Sequence, residues 1–268
     1  MLNLPFPSRP PWRAIRTSRV YAELSLAHPS ASCSIRAKSA PLQDRRVRQA
    51  LNMAVDRQAI IKNLFNGRGQ ILNTVTGRNV TQHLRPRPYP YDPAEGQAAP
   101  RRGGIRSGLE IQLWQSIGRW TLAEETVQVI AGYWDKVGIT TKLQVLEWAE
   151  YNKRSAASQF KDALLLRLHQ RHVGRVVHRA ALQARLRVSS RYFDASGDLL
   201  KAIRDYEQTF DAKKRKELAA QALKGLHDEA VWVFLWQLEQ LTGVSKKVKG
   251  FKIRADDFVW VRDTYVEA

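Results

Sequence analysis

A chain of 268 residues with 44% hydrophobic content can bury one large core or two small ones, which excludes wholesale disorder. Its net charge of +19 directs attention to nucleic acid or an anionic surface. A single cysteine, Cys33, rules out an intrachain disulfide and a CxxC metal knuckle, and the longest wholly apolar run, VWVFLW at 231–236, is too short to span a membrane.

The first forty residues are rich in arginine and hold Pro5, Pro7, Pro10 and Pro11. They offer neither a continuous amphipathic helix nor an uninterrupted apolar secretion core, so order is expected to begin near residue 43. Asp44 can cap a helix with Val47, Leu51, Ala54 and Val55 near one face. Asp56 can cap a second, RQAIIKNLFN, closed at its C′ position by Gly67. Residues 67–91 read as loop. In YDPAEG, Asp92, Pro93 and Glu95 stand at the N-cap, N1 and N3 positions of a helix. Pro100, Gly103 and Gly104 follow closely, so the expected helix is not carried through.

From Leu109 the pattern is regular. LEIQLW (109–114) reads as a strand, TLAEETVQVIAGYWDKVG as a helix stopping at Gly138, and ITTKLQVL (139–146) as a half-buried strand. Together they predict a β-α-β unit with parallel strands. EWAEYNKRSAASQF predicts a helix and DALLL (162–166) a short strand. Helices are expected near 198–209 and 212–227, the second capped by Asp211, and then a strand at 231–237. Strand-like pieces are expected around 251–254 and 258–262. Trp232, Trp236 and Tyr206 read as core, and the run Lys213, Lys214, Arg215, Lys216 as a solvated helix face.

In open α/β sheets ligands bind beyond the carboxyl ends of parallel strands. The loop after the first strand of the β-α-β unit carries Gly118, Arg119 and Trp120; the loop after the second carries Glu147, Trp148 and Tyr151. An arginine here can hold a carboxylate bidentately, and indoles can wall a solute pocket. The alternative is that Trp120 and Trp148 anchor a core and that Arg119 is a surface charge. No Gly-x-Ser-x-Gly elbow, HExxH or P-loop occurs, so nothing points to an enzyme or a cofactor. His169, His172 and His178 lack a neighbouring carboxylate and sit among arginines, so no metal site is expected there.

Four stretches resemble one family: DRRVRQALNMAVDRQAIIKNLFNGRG, PYPYDPAEG, WDKVGITTKLQVLEWAEYNKR, and DAKKRKELAAQALKGLHDEAVWVFLWQLEQLTGVSKKVKGF. In this order they look like the C-terminal half of a peptide-type solute-binding protein of family 5, the receptors of bacterial ABC importers for peptides, nickel and related solutes. The resemblance implies an α/β fold, one lobe of a periplasmic-binding-protein-like architecture of type II, cluster C. It implies a small peptide or related solute, an ABC permease as partner, and a place in the periplasm or at the outer face of the cell membrane. Residues 41–247 are expected to form the C-terminal lobe and 248–268 a tail returning to the first lobe. The large N-terminal portion and the secretion signal of the family have no counterpart in this reading. It therefore expects a truncated chain with little binding activity of its own, possible in the cytoplasm, and favours Arg119, Trp120, Trp148 and Tyr151 as cleft residues.

Most of the positive charge lies in 1–40, 94–107 and 167–192, where the resemblance lapses. The last stretch holds seven arginines and no acid. Arg, Ala, Pro, Gly and His are what a GC-rich gene yields in a shifted frame, so these blocks are expected to be irregular, off-frame segments. The competing reading is a basic nucleic-acid-binding arm built on Arg171, Arg175, Arg179 and Arg185. Against it, no aromatic residue interleaves those arginines before Tyr192, so a stacking platform is missing and no nucleic acid is expected as partner.

Overall fold

The structure, a computed structural model, describes residues 2–3, 18–24, 30–35, 42–74, 86–102, 108–118, 120, 122–157, 159–168, 197–254 and 260–267. Its centre is a mixed sheet in which β8 (Trp232–Ser245) is the longest strand. The sheet path runs β1 (Leu2–Asn3), β8, β3 (Ser30–Ile35), β7 (Ala163–Leu168), β5 (Leu109–Ser116), β6 (Ile139–Leu146), while β2 (Ser18–Leu24) and β4 (Gly69–Ile71) also pair with β8. Order therefore begins before residue 43. Strands β2 and β3 lie antiparallel along successive halves of β8, from Ser18↔Ser245 to Ser34↔Trp232. β3 carries no clear strand signal in its sequence, because its buried residues among those described, Cys33 and Ile35, lie among serines. β4 was likewise hidden in an expected loop.

β8 is buried on both faces, which is why its sequence lacks alternation. Trp232 and Phe234 point to one cluster, Val233 and Leu235 to another. Between Ala31 and Ser32 the β3–β8 register skips Leu235, and this bulge reverses the phase, so that Trp236 and Leu238 join Val233 and Leu235. The main core packs that face against α1 (Arg45–Met53), α2 (Arg57–Leu64) and α4 (Ala123–Lys136). On the other face lie α6 (Gly197–Gln208) and α7 (Ala212–Asp228), held through Leu199, Tyr206, Leu223 and Leu226. The expected core residues Trp232, Trp236 and Tyr206 are buried.

Capping follows the sequence closely. Asp44, Asp56 and Asp211 each accept from a first-turn amide of α1, α2 and α7. Beyond α2, Asn66 (φ 53°) enters the left-handed region first, and Gly67 (φ 75°) comes after it, one residue later than expected. Two buried arginines were not anticipated. Arg48 donates to the carbonyls of Leu42, Gln43 and Glu229 and pairs with the Glu229 carboxylate at 3.0 Å. Arg57 donates to the carbonyls of Phe234, Asn52 and Val55, and burial lowers its pKa to about 10, which leaves it charged at neutral pH. Both tie the α1–α2 corner to the start of β8.

The expectation that no helix follows YDPAEG is overturned. Residues Pro93–Arg102 form α3, with the Glu95 amide donating to the Asp92 carboxylate at 2.9 Å. Gly96 is buried where a Cβ would lie 3.4 Å from Ala54 Cβ and from Val137 Cγ1, so the residue that lowers helix propensity lets α3 approach its neighbours. Residues 103–107 and 169–196, which hold the remaining parts of two basic blocks and the three histidines, lie outside the described residues. At the C-terminus the strand pieces are β9 (Val248–Lys249) and β10 (Tyr265–Val266), paired with one another; 251–254 is not a strand.

Candidate functional site

The β-α-β unit sets the site. β5 and β6 run parallel in register from Leu109↔Ile139 to Ser116↔Leu146, and β7 joins β5 in parallel at Leu113↔Ala163. Gly138 closes α4 with φ 83°, the geometry that returns the chain to β6. The carboxyl ends of β5 and β6 therefore reach the same edge, and the Ile117 amide donates to the Leu146 carbonyl at 3.0 Å, joining the two exits.

An aromatic cluster covers this edge. Trp120, from the loop after β5, meets Trp148, the first residue of α5 (Trp148–Ala156), at 5.4 Å and 72°. Both indoles are half-buried. Tyr151, one turn along α5, stacks beside Trp148 at 6.1 Å and 19° and is 1% exposed. Phe160 lies beneath Tyr151 at 4.8 Å and against Trp114 at 5.3 Å. Of the four residues expected to touch solute, the structure thus brings three together. Trp120 and Trp148 form the outer surface and Tyr151 the floor, while Arg119 lies outside the described residues.

Local geometry marks the β5–α4 loop as strained. Leu122 occupies the α4 N-cap position with φ 55° and no side-chain cap, a costly left-handed conformation for a non-glycine residue. Among the described residues, several buried polar atoms nearby have no hydrogen-bond partner: Trp114 Nε1, Trp120 Nε1, Gln115 Oε1, Ser116 Oγ and Thr126 Oγ1. Such groups call for ordered water or a ligand. Trp114, Gln115 and Ser116 were not among the expected site residues, although they end the strand that reaches the edge. Arg154 lies over the Trp114 ring at 5.9 Å and bonds Glu150 at 2.6 Å, which lowers the Glu150 pKa. No group of His, Cys, Asp and Glu suited to a metal occurs among the described residues. Nor, among them, is any helix long and apolar enough to cross a membrane.

Comparison with known proteins gives one consistent result. Residues 20–166 match the family model described as bacterial extracellular solute-binding proteins, family 5 Middle. The match begins inside the stretch expected to be non-homologous. A dipeptide-binding protein of Pseudomonas aeruginosa is 30% identical over 223 residues, covering 80% of this chain and 41% of that protein. Among solved structures, HbpA2 from Haemophilus parasuis superposes with a TM-score of 0.79 at 19% identity, over 96% of this chain and 52% of that one. The periplasmic binding protein DppA from Helicobacter pylori, in complex with the peptide STSA, gives 0.78 at 19% identity, over 96% and 50%. The chain spans about two-fifths of the curated relative and half of these solved chains.

Proposed function

Because this chain belongs to the bacterial extracellular solute-binding proteins of family 5, we propose that its aromatic edge forms one wall of a cleft for a peptide-type solute. The solute would be passed on to the permease of an ABC importer at the outer face of the membrane. The family is one of binding proteins, so the reading involves non-covalent capture and no catalytic step. The observation that carries it is the meeting of Trp120 and Trp148 at 5.4 Å, from two different loops at the carboxyl ends of parallel strands. This is where an open α/β sheet presents a ligand site.

In this reading Trp120 and Trp148 flank the solute with apolar faces, and Tyr151 holds Trp148 in place from below. Arg119, beside Trp120 in the chain, supplies the charge for a carboxylate. The relatives extend well beyond the span matched here, so the 268 residues alone supply one wall and are expected to bind weakly. The exposed tail, with Trp260 at 51% and Tyr265 at 63%, is proposed to lie against the part of the relatives not spanned here.

The test is titration of the ¹⁵N-labelled chain with a pool of di- to hexapeptides. The indole N–H resonances of Trp120 and Trp148, assigned by single Trp→Phe variants, should shift at millimolar peptide while that of Trp134 stays fixed. Unmoved Trp120 and Trp148 resonances at saturating pool concentration would overturn the assignment of the edge.

A further inference from the structure

The α6–α7 corner carries a feature that the cleft does not use. Phe210, in the three-residue link between the helices, is 86% exposed, the highest value among the exposed large hydrophobic residues described. It makes no contribution to the core formed by the same two helices, whose interior is Leu199, Tyr206, Leu218 and Leu223. Shortly after it, Lys213, Lys214 and Lys216 are exposed within the first five residues of α7, and none has an acidic partner among the described residues. Other lysines of this helix pair are matched within their own helix, Lys201 with Asp205 and Lys224 with Asp228.

The arrangement works against the helix that carries it. Cations at a helix N-terminus face the positive end of the backbone dipole, and α7 has no acid in its first turn. The Asp211 carboxylate, exposed beside Phe210, caps the Lys214 amide at 2.7 Å. Glu217 lies one turn on, within helical reach of Lys213 and Lys214, yet forms no ion pair with either among the described residues. Arg215 folds back over the Tyr206 ring at 5.2 Å, so Phe210 and three exposed lysines project at the corner against two exposed acids, Asp211 and Glu217. An apolar wedge ringed by flexible cations at the tip of a helical hairpin matches an interface with apolar depth and a negative surface.

We propose that the Phe210 corner docks on an anionic lipid bilayer, with Phe210 entering the headgroup–acyl boundary and Lys213, Lys214 and Lys216 facing lipid phosphates. The inference is independent of the solute reading, because the corner and the aromatic edge share no residue.

The chain carries +19 overall and will approach anionic vesicles by several routes, so the readout must be local. A polarity-sensitive fluorophore is placed at Phe210→Cys and, as control, at Val145→Cys, which is 49% exposed on β6. Native Cys33 is fully buried, and burial raises its pKa to about 12, so it does not compete for the label in the folded chain. Vesicles of about 30 mol% phosphatidylglycerol in phosphatidylcholine are compared with pure phosphatidylcholine at about 0.15 M salt. The probe at 210, not at 145, should shift to the blue with anionic vesicles alone. Combined Lys213→Glu, Lys214→Glu and Lys216→Glu should weaken that response on the order of a hundredfold. A probe at 210 that stays in water while the chain sediments with vesicles, a chain that does not bind them, or a response unchanged by the charge reversal would each overturn the proposal.

Discussion

Helices α3 and α4 make opposite use of local and tertiary signals. α3 starts with an aspartate cap and a proline at N1, then runs into Gly96 and Pro100. α4 starts at a left-handed Leu122 with no side-chain cap, then presents Val127, Ile130 and Trp134 to the core. Each survives on what the other lacks. α3 is held by its start and by a close approach that only a small residue permits, α4 by burial strong enough to carry a strained entry. The strain sits at the loop that leads to the aromatic edge.

Removing the anchor of α4 should have the largest effect. Trp134 is fully buried and its indole donates to the Leu51 carbonyl at 3.0 Å. Trp134→Ala should cost about 3–5 kcal/mol, read by urea denaturation. A loss below about 1 kcal/mol would show that burial does not hold α4.

The contact that rescues α3 is tested at Gly96. Gly96→Leu should cost about 1–3 kcal/mol by overpacking against Ala54 and Val137. Gly96→Ala, whose methyl meets those atoms at 3.4 Å, should be near neutral or gain up to about 1 kcal/mol from helix propensity. If leucine were tolerated as well as alanine, the close approach would not be what carries the helix.

The two starts should respond unequally. Asp92→Ala should cost about 1 kcal/mol through loss of the cap. Leu122→Asn sheds left-handed strain but gives up a half-buried contact, so its net effect should stay within about 1 kcal/mol of zero. Thermal unfolding of both variants separates these outcomes.

The smallest effect expected is a pH dependence where the end of α7 meets the segment leading into α3. The segment leading into it is held by Tyr89, whose ring stacks on His227 at 4.4 Å and whose hydroxyl donates to the His227 carbonyl at 2.6 Å. Burial lowers the His227 pKa, opposed by the neighbouring Asp228. The unfolded chain then binds the proton more readily, so this contribution is fully present above about pH 6.5 and lost as pH falls through the lower folded value. Protection of the Glu95 and Gly96 amides against hydrogen exchange, taken relative to the intrinsic rate at each pH, should fall between pH 7 and 5 ahead of that at Val127 and Ile130. Equal changes in both helices would sever His227 from the start of α3.

Much of the chain was legible because its signals are local. The Asp44, Asp56 and Asp211 caps, the alternation of 139–143 and the stop at Gly138 depend on a few neighbouring residues, and each stands where expected, whereas the alternation lapses at Val145, which is exposed. Backbone groups at helix ends and one buried strand face impose those patterns whatever surrounds them. The edge of the β-α-β unit was legible for the same reason, since parallel strands fix where their loops emerge. Depth was not. Tyr151 and Trp148 are three residues apart on one helix, and only Phe160 and Trp114 packing from beneath make the first a floor and the second a face. The same holds for α3, for β2 and β3 along β8, and for the bulge that turns Trp236 to the main core. Those outcomes depend on contacts between residues far apart in the chain, and sequence alone determines which groups can meet but not which neighbours fill the space around them.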